Sequence, residues 1–277
     1  MVNVIDISDA DDPRIDDYRN LNSSDRRPDL PGGKGLVIAE GVLVVQRMIA
    51  SRFAPHSLLG VDRRLQELGS ALDAVDVPFY RVPTEVMDEC IGFHLNRGVL
   101  AAARRAPEPH LDTVLDGART VAMLEGVNDH ENIGSMFRNA TGLGIDAVLF
   151  GARCADPLYR RAVRVSMGHV LRLPFTHIPE WPAGIDEVRS RGFTVVALTP
   201  DPEVPMLTEV LHDRGPTDRV ALLVGAEGPG LRKHTMNACD ARARIPMAPG
   251  TDSLNVATAA AVAFYERLRS MQMADAR

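Results

Sequence analysis

The sequence predicts an α/β protein built as two domains, and three observations carry that prediction. Short apolar runs of strand length alternate with stretches of helical spacing along most of the chain. In the second half those runs are short and mainly apolar without alternation, the pattern of parallel strands covered on both faces. At 277 residues, 45% of them hydrophobic, the chain is long enough to bury two cores of ordinary size.

Residues 1–30 hold eight aspartates against four arginines and few large apolar side chains, which predicts a flexible acidic arm. The first domain, 31–105, opens with Lys34-Gly-Leu-Val-Ile-Ala-Glu-Gly41, which leads into a helical pattern through Val42, Val45, Met48 and Ile49. Strand-like runs follow at Ser57–Val61, Phe79–Val82 and Gly98–Ala103, with helices expected over Arg63–Ala74 and after Pro83. Pro107, Pro109 and Gly117 punctuate a linker over 106–118.

In the second domain, 119–277, strands are expected at Thr120–Leu124, Ala147–Phe150, Thr194–Leu198, Val220–Val224 and Ala243–Pro246, separated by helices. Sheets of this kind bind ligands at the carboxyl ends of their strands. Near the end of the chain, Pro246, Pro249 and Gly250 set a turn, and Ser253 is placed to cap a helix. In that helix Leu254, Ala257, Ala261, Phe264, Tyr265 and Leu268 recur at the three-and-four spacing of one buried face.

A net charge of −6 argues against a protein that coats nucleic acid by bulk attraction, and leaves room for a local basic surface. Lys34 and Lys233 are the only lysines; arginine's planar fork suits phosphate recognition, and a GC-rich coding sequence would produce the same bias. No window approaches twenty apolar residues and the acidic start lacks a signal-peptide layout, so a cytoplasmic protein without membrane attachment is expected. Cys90, Cys154 and Cys239 lie far apart without metal-ligand spacing, so neither a disulfide framework nor a metal site is expected.

Three stretches of the second half combine apolar strand ends with isolated polar residues. The first is Glu131-Asn-Ile-Gly-Ser-Met-Phe-Arg138-Asn-Ala, directly after a strand. Asn132 and Arg138 stand six residues apart, which on a regular helix puts them on different faces; alone they read first as a capping asparagine and a surface arginine. The second is Gly225-Ala-Glu-Gly-Pro-Gly230. Its G-x-x-G-x-G spacing, late in the sheet, is wrong for a dinucleotide fingerprint, which disfavours a nicotinamide enzyme. The third is the turn and helix start from Ile245 to Asn255, where an amide at Asn255 in an apolar helix needs a partner. Between the first two lies Asp156-Pro-Leu-Tyr-Arg-Arg-Ala-Val-Arg-Val-Ser-Met-Gly168, whose Arg160, Arg161 and Arg164 form either a solvated basic edge or a phosphate contact.

In this order the three stretches resemble the motifs of the SpoU-type, TrmH-like RNA ribose 2'-O-methyltransferases of the SPOUT superfamily. The resemblance implies a parallel sheet with helices on both faces, a C-terminal trefoil knot, and a homodimer whose active site forms at the subunit interface. It implies Asn132, Arg138, Glu227, Ser253 and Asn255 as the catalytic set, with Arg138 foremost as base or as cation; guanidinium's hold on its proton favours the cation. The usual Asp-Pro ahead of the asparagine is Asn128-Asp129 here.

S-adenosylmethionine is the implied cofactor, held by Leu198, Thr199 and Pro200, by Gly225, Glu227 and Gly230, and by Ile245, Met247, Ser253 and Leu254. The first domain looks like the ribosomal-protein-like RNA-binding domain of many such enzymes, on the matches Ile38-Ala-Glu-Gly41 and His94-Leu-Asn-Arg-Gly-Val-Leu-Ala101. Its RNA contacts would be His94, Arg97, Arg104 and Arg105, with Arg160, Arg161 and Arg164 from the second half. The implied substrate is ribosomal RNA, with transfer RNA the alternative. A non-catalytic RNA-binding assembly protein that keeps the fold is the competing class, and methyl transfer to bulk RNA separates the two.

Overall fold

The computed structural model describes residues 2–21, 34–212, 214–215 and 217–275. The chain divides into two units, one of Met1–Pro107 with Asp156–Arg172, the other of Glu108–Ala155 with Leu173–Arg277.

In the first unit, β1 (Asn3–Asp6), β2 (Leu36–Glu40), β3 (Pro55–Gly60), β4 (Pro78–Arg81) and β5 (Val99–Arg104) form one sheet in the order β1-β4-β3-β5-β2. The first three in that order are parallel, while β5 runs antiparallel to β3 and β2. Helices α1 (Val42–Ile49), α2 (Asp62–Leu68) and α3 (Thr84–Ile91) connect the strands. Val44, Val45 and Met48 of α1 are fully buried, as three-and-four spacing requires.

Residues 2–21, expected to be flexible, are instead built into this unit. Strand β1 pairs in parallel with β4, and a 3-10 helix over Pro13–Tyr18 buries Ile15 and Tyr18, whose hydroxyl lies 2.8 Å from that of Ser57. The aspartates that suggested an arm stay on the outside, where Asp12 caps the 3-10 helix and Asp16 and Asp17 bind Lys34. The remainder of the expected arm, 22–30, lies outside the described residues. Two strands were hidden by composition: β1 is short, polar and mostly exposed, and β2 runs into α1 without a break signal except Gly41.

The second unit begins with α4 (Leu111–Leu115), whose Val114 and Leu115 are core residues, so the segment expected as a linker is packed structure from its middle onward. It continues through β6 (Thr120–Leu124), α5 (His130–Gly142) and β7 (Ala147–Phe150). Helix α6 (Arg160–Val165) then belongs with the first unit, against the expectation that 119–277 forms one domain. The chain returns with β8 (Phe175–His177), α7 (Gly184–Ser190), β9 (Phe193–Leu198), α8 (Leu207–Leu211), β10 (Arg219–Val224), α9 (Lys233–Ala238), β11 (Ala241–Ala243) and α10 (Val256–Asp275).

Its six strands are all parallel, in the order β11-β9-β10-β6-β7-β8. Every residue of β6 and β7 is buried, which is why their sequences are apolar without alternation. Phe137, Phe150 and Phe175 meet with ring centroids 5.8–6.1 Å apart, each burial contributing about 2 kcal/mol.

Helix α10 departs from its expected face. Ala257, Ala260, Ala263 and Phe264 are buried, but Tyr265 is 56% exposed and Leu254 is exposed, while Arg267 takes an inner position at 1% exposure. Arg267 is tolerated there because it donates to the carbonyls of Arg214, Gly215 and Asp218 and to Thr120 Oγ1, and burial still pulls its pKa below the ordinary guanidinium value. No helix among the described residues is long and apolar enough to cross a membrane.

Candidate active site

Register decides where the site forms. Val224 pairs with Leu124, Leu223 with Ala197 and Ala243 with Leu198, so β6, β9, β10 and β11 end level with one another. A cavity of about 360 Å³ opens there, the position expected of ligand sites in parallel sheets. Its walls are three segments: Leu198, Thr199 and Pro200 at the end of β9; Gly225, Glu227 and Gly230 after β10; and Ile245, Met247, Ser253 and Leu254 before α10. Val224, Ala226, Gly228, Asn255, Val256 and Ala259 complete the lining.

The loop after β10 is folded back on itself. Gly230 N–H donates to the Ala226 carbonyl at 3.0 Å, and a Cβ at Gly225 would stand 2.4 Å from the Leu231 nitrogen, so only glycine fits there. Its exit is fixed by Glu125, which the sequence reading overlooked. At 1% exposure, Glu125 accepts from Arg232 N–H (3.1 Å), Thr235 Oγ1 (2.9 Å) and Trp181 Nε1 (3.0 Å). The available signal was a glutamate directly after the apolar run Val121–Leu124, where an acid needs several donors to be buried.

At the rim, three polar residues from distant parts of the sequence meet. Asn132 Nδ2 donates to Glu227 Oε1 at 3.1 Å, and Asn255 Nδ2 donates to the same oxygen and to Asn132 Oδ1, both at 2.8 Å. The other end of the Asn255 amide caps α10, with Oδ1 accepting from the amides of Ala257 (3.0 Å) and Thr258 (3.1 Å). The cap expected at Ser253 is therefore provided two residues later. Both amides converge on one oxygen of Glu227, so its second oxygen keeps lone pairs for other donors.

Arg138 does not join this cluster. Asp129 caps α5 by accepting from Glu131 N–H at 2.6 Å, and α5 then runs unbroken to Gly142. Its rotation is set by buried Ile133, Met136 and Phe137, which turn Asn132 (8% exposed) inward. Six residues on, Arg138 faces outward and is exposed, as helical geometry dictates. Asn139 Nδ2 donates to the Ala257 carbonyl at 3.3 Å, which docks α5 on α10.

The candidate RNA contacts lie in the first unit. His94 is exposed and its Nδ1 lies 2.6 Å from Asp88 Oδ2, a hydrogen bond that raises the imidazole pKa above its ordinary 6.5. Arg104 is exposed at the end of β5, Arg105 pairs with Asp156, and Arg161 is exposed on α6. Arg97, Arg160 and Arg164 meet around Glu40.

This arrangement has relatives. Residues 119–265 match the model of the SpoU rRNA Methylase family. A Mycobacterium bovis protein described as an uncharacterized tRNA/rRNA methyltransferase is 62% identical, over 97% of this chain and 93% of its own length. The 23S rRNA (guanosine-2'-O-)-methyltransferase RlmB of Bordetella pertussis is 30% identical, over 85% of this chain and 98% of its own. Among solved structures, an AdoMet-bound rRNA methyltransferase from Sinorhizobium meliloti shares the fold with a TM-score of 0.78 at 23% identity, covering 96% of this chain and 98% of that one. With the family model spanning more than half of the chain, and with relatives matched along nearly its whole length, this protein belongs to the SpoU rRNA methylase family and is an RNA methyltransferase.

Proposed function

We propose that the chain transfers a methyl group from S-adenosylmethionine to a ribose 2'-hydroxyl of ribosomal RNA in the cytoplasm, working as a homodimer. The observation that carries this is the meeting of Asn132, Glu227 and Asn255 at the rim of a cavity ending four parallel strands. The cavity suits the cofactor: its volume lies in the range of small-molecule sites, and its walls combine the apolar Leu198, Ile245, Met247 and Leu254 with a polar rim. The bound cofactor supplies an electrophilic methyl on sulfur. Ribosomal RNA is favoured by the RlmB relative, and transfer RNA is the second substrate to test because the mycobacterial relative's description covers both.

The protein's task is to orient the ribose oxygen and to stabilise the negative charge it gains as it takes the methyl group. Glu227, fixed by two amides, holds a donor edge of the bound groups, and Asn255 ties that carboxylate to the start of α10. Ser253, on the same rim, holds the ribose. Arg138 supplies the positive charge for the developing oxyanion and for the neighbouring phosphate.

Because Arg138 turns away from its own chain's cluster, we assign it to a site completed by a second copy. The outer face of α10 offers that contact through exposed Val262 and Tyr265, beside the docked helix α5. The C-terminal trefoil knot implied by the motifs forms part of the same proposal, with α10 and the loop before it as the knotted segment.

The test is transfer of labelled methyl to bulk ribosomal RNA followed by alkaline hydrolysis. A methylated 2'-oxygen cannot attack its phosphodiester, so label is expected in alkali-stable dinucleotides; label in mononucleotides, or none, sinks the proposal. Arg138→Ala is expected to lower the rate by about a hundredfold or more. Mixing it with a cavity-defective Asn255→Ala chain should restore activity, and absence of rescue removes the shared site.

A further inference from the structure

Glu125 is a buried acid that takes no part in the proposed reaction, yet it holds the glycine loop at both ends. Its own N–H donates to the Val224 carbonyl at 3.0 Å, at the entry, and its side chain accepts from Arg232 N–H at 3.1 Å, at the exit. The next residue, Gly126, lies against the loop, since a Cβ there would stand 3.2 Å from Ala226 Cβ. Further along, Asn132 donates to Glu227. One run of chain after β6, residues 125–132, thus meets the loop at Val224, Ala226, Glu227 and Arg232 in turn.

The side chain of Glu125 answers three donors. Oε1 accepts from Trp181 Nε1 at 3.0 Å and from Thr235 Oγ1 at 2.9 Å, while Oε2 takes the Arg232 amide. An indole and a backbone amide can only donate, so the position calls for a group that only accepts, which among side chains is a carboxylate.

At 1% exposure that carboxylate costs desolvation that an apolar residue would not. What it supplies in return is direction. The Arg232 amide is tied to the same residue as the Val224 carbonyl, so the two ends of the loop are held at one spacing. The loop's internal bond, from Gly230 N–H to the Ala226 carbonyl, closes the turn around Glu227 without fixing it to the sheet.

We infer that Glu125 is a positioning residue for methyl transfer, setting the place of Glu227 and the shape of the cavity through both ends of the glycine loop. Trp181 and Thr235 fix its carboxylate in turn. Glu125 is not among the residues that line the cavity, so its effect reaches bound groups only through the loop. This assignment rests on the proposed role of Glu227.

The test uses the full chain, with S-adenosylmethionine affinity by calorimetry, methyl transfer to ribosomal RNA and thermal unfolding measured for each variant. Glu125→Gln keeps the volume but sets an NH2 group against either the Arg232 amide or the Trp181 indole. Cofactor binding is expected to weaken about tenfold, with a further fall in rate at saturating cofactor. Adding Trp181→Phe removes the indole N–H, so the glutamine can turn its NH2 to the Thr235 hydroxyl and its carbonyl to Arg232. The double variant is therefore expected to bind cofactor more tightly than Glu125→Gln alone, even with part of an aromatic side chain lost from the core. A side chain that merely fills the core gives the opposite order, and losses that add in the double variant overturn the assignment.

Arg232→Pro gives a second reading that does not depend on the glutamine variant folding. At this residue φ is −69°, which proline adopts, and the backbone loses only the exit N–H. It should weaken cofactor binding to a similar extent, and parent-like affinity overturns the assignment as well. Glu227→Ala separates the two readings. If it reacts like the parent while Glu125→Gln still loses affinity, the proposed role of the rim fails and the hold on the cavity stands. If it loses activity while Glu125→Gln binds and reacts like the parent, only the positioning role falls.

Discussion

Two glutamates organise this protein in opposite ways. Glu227 is exposed at a cavity rim and is held by two neutral amides, both on one oxygen. Glu40 is buried and is surrounded by three guanidiniums. A carboxylate near water keeps part of its hydration, so amides suffice to orient it while a second oxygen serves a ligand. A carboxylate removed from water needs its lone pairs filled: at Glu125 three neutral donors do this, whereas at Glu40 a full opposite charge stands close by. In the first case one oxygen of the acid stays open to further donors, and in the second the acid gathers cations around it.

That contrast sets the order of effects expected from mutation. Glu40→Ala should be the most damaging to stability, about 3 kcal/mol by chemical denaturation, because it leaves three arginines facing one another without their anchor. A loss below about 1 kcal/mol would mean that solvent already screens the cluster and that Glu40 is no scaffold. Next comes Asn255, whose amide has two jobs. Asn255→Asp keeps the cap on α10 but sets a carboxylate against Glu227, so methyl transfer should fall by about a hundredfold with unfolding shifted by less than about 0.5 kcal/mol. Asn255→Ala should lose both, with about 1 kcal/mol of stability gone. Equal stability losses in the two variants would show that the cap and the cluster are not separable.

The smallest effect concerns His94. Its pKa is raised by Asp88, so whatever stability the pair adds is complete below pH 6.5 and is lost as pH rises through the higher folded-state value. Proton resonance titration of Asp88→Asn should bring His94 back toward 6.5. An unchanged titration would show that the bond at 2.6 Å carries no charge effect.

Much of this was legible in the sequence, and the reasons are physical. The strands of the second unit announced themselves because parallel strands buried on both faces are apolar in nearly continuous runs, as in Val121–Leu124. Glycine and proline marked the turns at Gly225–Gly230 and Pro246–Gly250, while the grouping of three loops around one site came from the family resemblance. What stayed hidden depended on partners far away in the chain. Glu125 and Arg267 look like surface residues by type, and only the donors or carbonyls that satisfy each inside reveal them as core. The pairing of Tyr18 with Ser57, 39 residues apart, likewise turned an acidic arm into packed structure. Arg138 was the reverse case: its spacing from Asn132 on a regular helix already placed it on another face.

Arg267 also bears on the timing of assembly. Its guanidinium grips the turn that feeds β10, the strand whose far end becomes the glycine loop of the cavity. During synthesis that grip is missing until codon 267 has been translated and the residue has cleared the exit tunnel. The cavity at the strand ends is therefore among the last features to set, and a nascent chain stalled earlier would present its strands without a finished rim.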